Sequence, residues 1–102
     1  MSLTNYLAEL QRLRNDPQLA ANILRYAVDG NVDAQYAMGL IYAEGRGVGV
    51  DLARAHYWLS LATDQGDIDA RILRNVIGAQ MSEEEYQASL RMRQGPKLSL
   101  VK

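Results

Sequence analysis

Few residues in this 102-residue chain have a type and spacing suited to chemistry, and the rest of the sequence constrains each of them. His56 is the single histidine and there is no cysteine. Without cysteine there is no disulfide framework, no thiolate-held zinc or iron–sulfur cluster, and no thiol nucleophile. With one imidazole, a multi-histidine metal site is excluded and a Ser–His–Asp triad has only His56 to be built on. No Ser, Asp or Glu is assigned to His56 by spacing. It reads as a surface or partly packed side chain beside the core position Ala55.

Gly45-Arg46-Gly47-Val48-Gly49 has the glycine density of a phosphate cradle. A dinucleotide fingerprint needs a buried strand followed by G-x-G-x-x-G, and a P-loop ends in Gly-Lys-Ser/Thr. This loop follows a helical pattern and has neither, so it reads as a turn between helices. Glu83-Glu84-Glu85 opens a helical segment, where the macrodipole favours acids. Asp67 and Asp69 read as capping groups rather than as a carboxylate pair for acid–base work. The expectation is a protein that is not an enzyme, with no catalytic residue, no metal and no cofactor.

Arginine is the remaining chemical signal: nine Arg against two Lys. Arg71 and Arg74, three apart on one helical segment, share a face. Arg91 and Arg93 fall on the last segment, and from Tyr86 to Lys102 there are four positive charges and no acid. These residues could dock an acidic partner through bidentate contacts. Nucleic acid is not expected, because four charges without interleaved aromatics neutralise little phosphate and the whole chain carries a net charge of −1.

The elements that must position these residues are helices. Leu3, Tyr6, Leu7, Leu10 and Leu13 mark a first apolar stripe. Asp16 caps a second segment with Pro17 at its first position, and Ala20, Ile23, Leu24 and Ala27 form its stripe before Gly30. Asn31 or Asp33 caps a third with Ala34, Met38 and Tyr42, ended by Gly45. Asp51 opens a fourth with Leu52, Ala55, Trp58, Leu59 and Ala62 inward, stopped by Gly66. Asp67 opens a fifth with Ala70, Leu73, Val76 and Ile77 inward. Ser82 with Glu85 makes a capping box for the sixth, which runs to about Gln94 before Gly95-Pro96. Strand formers never alternate over a useful length, and no apolar run reaches a membrane-spanning length. Six Tyr, no Phe and 13 Ala suit closely packed helices with aromatic tips that reach water or backbone.

Internal repetition is the strongest organising signal. Gly30-Asn31-Val32-Asp33-Ala34 recurs 36 residues later as Gly66-Asp67-Ile68-Asp69-Ala70. Both copies follow one helix and open another, so two-helix units stack on each other as in a solenoid.

Gly30 to Gly66 closely resembles a Sel1-like repeat, a branch of the tetratricopeptide-type helical repeats. The resemblance rests on Ala34, Met38, Gly39, Tyr42, Gly45, Gly47, Val48, Asp51, Ala55, Trp58 and Ala62. Flanking matches are weaker: in the second copy Arg74-Asn75 replaces Met38-Gly39 and Gly78 replaces Tyr42. In the partial copy before the full repeat, the tryptophan position falls on Asn22. The implied fold is all-α, an α/α solenoid of about six helices, with one full repeat over about 30–66 flanked by degenerate repeats and caps. One domain would span 1–94, with a flexible tail over 95–102.

The motif residues are expected to be scaffold. Gly39 lets paired helices approach, Gly45 and Gly47 turn the loop, Val48 plugs the gap, and Tyr42 and Trp58 fill the space between units.

The resemblance implies protein–protein interaction: an adaptor or scaffold, most often bacterial, that binds a partner protein or peptide on its concave face. That face would expose parts of Gln35, Tyr36 and Ile41 near Arg71 and Arg74, with Arg91 at the basic C-terminal end. The N-terminus has no signal-peptide pattern, so a cytoplasmic location is expected. A homodimer built through terminal helices, with the four-leucine first segment as its contact, is the second reading. The third is a ligand-binding or enzymatic protein with a pocket under the Gly45–Gly49 loop and polar groups around His56.

Overall fold

The computed structural model describes residues 17–94. Five helices follow one another: α1 (Pro17–Val28), α2 (Val32–Glu44), α3 (Leu52–Asp64), α4 (Ile68–Gln80) and α5 (Glu83–Gln94). The described residues hold no strand and are all-α. These helices correspond to the second through sixth segments expected from the sequence. The first segment, the Asp16 cap, the Gly95-Pro96 stop and the tail over 95–102 lie outside the described residues.

Helices α2 to α5 each begin where a short side chain satisfies an amide that the helix itself cannot. Asn31, not Asp33, caps α2, its Oδ1 accepting from the Ala34 amide at 2.9 Å. Asp51 takes the Arg54 amide at 2.9 Å and Asp67 the Ala70 amide at 3.0 Å. At α5 both halves of the capping box form: the Glu85 amide donates to Ser82 Oγ at 3.1 Å and the Ser82 amide to Glu85 Oε1 at 2.9 Å.

Each helix packs on the next from α1 to α4, and α5 folds back onto α3. Two apolar clusters result. The first holds Ala20, Ile23, Ala27, Ala34, Ala37, Met38, Ile41 and Trp58, with Tyr42 and Val48 packed against it. The second holds Ala55, Leu59, Ala62, Ala70 and Ile77, and Tyr42 reaches it as well. Tyr42 thus bridges successive units, as the repeat pattern expects.

Gly39 explains how α2 and α3 approach so closely. A Cβ there would stand 2.5 Å from Leu59 Cγ and Cδ2. Gly45 ends α2 at φ +72°, and a Cβ on it would meet Val50 Cγ2 at 2.9 Å. The Asp51 amide donates to the Tyr42 carbonyl at 2.9 Å, which closes the turn.

One expected core position is wrong. Val76 is 50% exposed, while Ala70 and Ile77 are buried and Leu73 half-buried. At about 100° per residue, Val76 lies roughly 120° round α4 from Ala70, whereas Ile77 lies within about 20° of it. Its neighbour Ile77 fills the core instead.

Candidate functional site

The concave-face expectation fails for two of its three α2 residues. Ile41 is fully buried in the first cluster and Gln35 is 5% exposed, so neither offers a surface. Gln35 is a tie between helices: its Nε2 donates to the Ala27 carbonyl at 3.2 Å, and its Oε1 accepts from Gln65 Nε2 at 2.8 Å. Gln65 also donates to the Gly30 carbonyl at 2.9 Å. The ends of α1 and α3 are thereby held to the start of α2. Tyr36 is half-buried against the second cluster. Its pKa is pushed up, first by burial and then by the carboxylates of Asp69 and Asp67.

The described surface instead offers an apolar row on α4. Ile68, Ile72 and Val76 are 62%, 57% and 50% exposed. Spaced four apart, they stand one above another on one helix face. Arg71 flanks the row and lines a shallow depression with Thr63, Gly66, Asp67 and Ile68. Arg74, at the half-buried edge of the same helix, lines a different cavity. The two arginines that spacing placed on one face thus serve two surfaces. Arg91 is exposed on α5, away from both.

That cavity, of about 510 Å³, has His56 in its lining. Helix α3 contributes His56 and Ser60, and α4 contributes Arg74, Asn75 and Gly78. Helix α5 contributes Tyr86, Leu90 and Arg93. No lining residue comes from the Gly45–Gly49 loop, under which the third reading put its pocket.

His56 is 8% exposed, not a surface residue, and it has a serine partner. Its Nδ1 lies 2.8 Å from Ser89 Oγ, and Tyr86 packs edge-on to its ring at 5.5 Å. Burial, then the charges of Arg74 and Arg93, hold its pKa below the ordinary value. Ser89 is 0% exposed, so no substrate carbonyl can reach its hydroxyl. The pair holds α5 against α3 and is not a nucleophilic dyad. Arg93 joins the same two helices through a 2.7 Å ion pair with Asp64. Among the described residues no three His, Asp or Glu side chains gather as a metal site, and no helix is long and apolar enough to cross a membrane.

Sequence reasoning missed Ser89, Ser60, Gln65 and the Ile68–Ile72 row. The row was legible at its i, i+4 spacing but was passed over for the competing stripe at Ala70, Leu73 and Ile77. Ser89 carried no signal, because its partner lies 33 residues away.

Comparison with known proteins agrees with this architecture. The Sel1 repeat family model matches residues 32–67. Among curated proteins, the alginate biosynthesis protein AlgK of Azotobacter vinelandii is 37% identical over 70 residues, 68% of this chain. The chain spans 15% of the length of that relative. No solved structure matches the chain.

Proposed function

Residues 32–67 are a Sel1 repeat, a helical unit whose family generally mediates contacts between proteins, and from that premise we propose that this chain docks a partner protein on the outer face of α4. The observation that carries the proposal is the exposed row Ile68, Ile72 and Val76. A contiguous apolar patch on a folded surface costs solvation unless a partner covers it. The spacing suits an amphipathic helix laid along α4, with apolar anchors on the row. Arg71 beside the row favours an acidic side chain on the partner's flank.

The test is affinity capture from source cells with the parent chain and with Ile72→Asp and Arg71→Glu variants. The expected result is a partner set retained by the parent and lost with Ile72→Asp, with a smaller loss for Arg71→Glu. If Ile72→Asp retains the same partners, the docking face is wrong. Light scattering over a range of concentrations checks the homodimer: association of the pure chain that Ile72→Asp abolishes would make a second copy the occupant.

A further inference from the structure

The 36-residue period that carries Gly30 onto Gly66 also relates the His56 cavity to the preceding unit. Ala20, Leu24, Met38, Gly39 and Tyr42 map onto His56, Ser60, Arg74, Asn75 and Gly78. In the first unit Ala20 and Met38 are buried in the core cluster, and Leu24 and Tyr42 pack on it. A depression of about 440 Å³ at the matching place is lined by Leu24, Tyr42, Arg54 and Tyr57. Their counterparts 36 residues on are Ser60, Gly78, Leu90 and Arg93, all of which line the His56 cavity. The crevice thus carries three aromatic rings and one arginine, Arg54, in the first unit, and His56 with two arginines, Arg74 and Arg93, in the second.

We propose that the His56 cavity binds a carboxylate carried on a short aliphatic stem, from either a free organic acid or an acidic side chain of a peptide. Three features of the cavity support this assignment, and none depends on docking at the α4 row. Arg74 has no carboxylate partner among the described residues; its side-chain hydrogen bond is to Asn75 Oδ1 at 3.4 Å. A guanidinium so placed beside a cavity is a bidentate carboxylate site.

The second is the His56 tautomer. The Ser89 hydroxyl is fully buried, and among the described residues its one partner is His56 Nδ1. A buried O–H needs an acceptor and Nδ1 is the one within reach, which assigns the donor role to Ser89 and the ring proton to Nε2. The Nε2 edge faces Gly78, where a Cβ would stand 4.0 Å away. His56 thus points a donor into the cavity from the side opposite Ser89.

The third is shape. The volume of about 510 Å³ falls in the ordinary range for small-molecule sites, roughly 300–1,000 Å³. The Tyr86 ring and Leu90 supply an apolar wall for a stem, while the Arg93 charge at the rim is offset by Asp64.

The test is a side-chain NMR titration of the folded chain with two probes, glutarate and the capped peptide acetyl-Ala-Glu-Ala-amide, and with glutaramide as the neutral control. Saturable shifts at the His56 ring and Arg74 guanidinium are expected with at least one acid and not with glutaramide. The responding probe distinguishes a free acid from a peptide source. Arg74→Gln should weaken binding roughly tenfold or more, the scale of one charge-assisted contact. Gly78→Tyr, which restores the tyrosine of the first unit, should abolish it, whereas Ile72→Asp on the outer face should not change it. The absence of saturable shifts at His56 with both acids, or equal shifts with glutaramide, overturns the assignment even if both cavity variants fail to fold. Unchanged affinity in folded Arg74→Gln overturns it as well.

Discussion

His56 Nδ1 and Ser89 Oγ lie 2.8 Å apart, and this bond joins the middle of α3 to α5 across 33 residues of chain. Helix α5 makes its main packing contact with α3, so this buried polar bond is a principal tie holding the last helix in place. Ser89→Ala removes the hydroxyl and leaves the ring nitrogen buried without a partner. A loss of about 1–3 kcal/mol in urea unfolding is expected. A change below about 0.5 kcal/mol, the size typical of an ordinary surface substitution, would show that the bond does not hold the helix.

The same histidine makes stability depend on pH. Its folded pKa lies below the ordinary 6.5, through burial and the facing charges of Arg74 on α4 and Arg93 on α5. As pH falls, the unfolded chain therefore takes the proton first. Stability is unaffected by His56 above about 6.5 and declines as pH drops from there toward the folded pKa. Urea midpoints measured from about pH 7 down to about pH 5 should fall in the parent and stay flatter in His56→Asn, since most carboxylates titrate lower. Parallel profiles would refute the assignment.

Close approach of α2 and α3 at Gly39 gives a steric prediction. A methyl group there meets the branched end of Leu59 at 2.5 Å, and Leu59 is itself fully buried. Gly39→Ala should destabilise by about 1–3 kcal/mol despite its better helix propensity. The double variant Gly39→Ala with Leu59→Ala should show non-additivity in a thermodynamic cycle. Additive costs would mean the two sites do not touch.

Gln35 gives a prediction opposite to the one its sequence position suggested. As a buried tie to Ala27 and Gln65, it should cost about 1–3 kcal/mol when changed to Ala, with partner capture unchanged. Loss of partners from a chain still stably folded would return Gln35 to the docking surface.

Trp58 tests the space between units. It is 8% exposed and shares the first cluster with residues of both α1 and α2. Trp58→Ala should cost roughly 3–5 kcal/mol in urea or thermal unfolding. A cost near 1 kcal/mol would show that the gap is not filled by this side chain.

The sequence by itself determined the five described helices, the Asp51 and Asp67 caps, the capping box and the glycine turns, and narrowed the α2 cap to Asn31 or Asp33, because each signal lies within a few residues of what it controls. Asn31 reaches Ala34, Asp51 reaches Arg54, and Gly45 needs only its own missing Cβ to adopt φ +72°. The 36-residue period likewise sufficed for stacking. Tertiary structure alone decided which side chains have partners and which have surface. Gln35 was buried by Gln65, 30 residues on, and Arg93 was taken by Asp64, 29 residues back. The physical reason is that helical spacing defines a face but not what covers it. A rotation of α4 by one residue decides whether Val76 or Ile77 enters the core. Packing against α3 made that choice and, at the same crevice, set His56 and Arg74 around one cavity. The His56 that spacing left without a partner became the residue around which the described site is built.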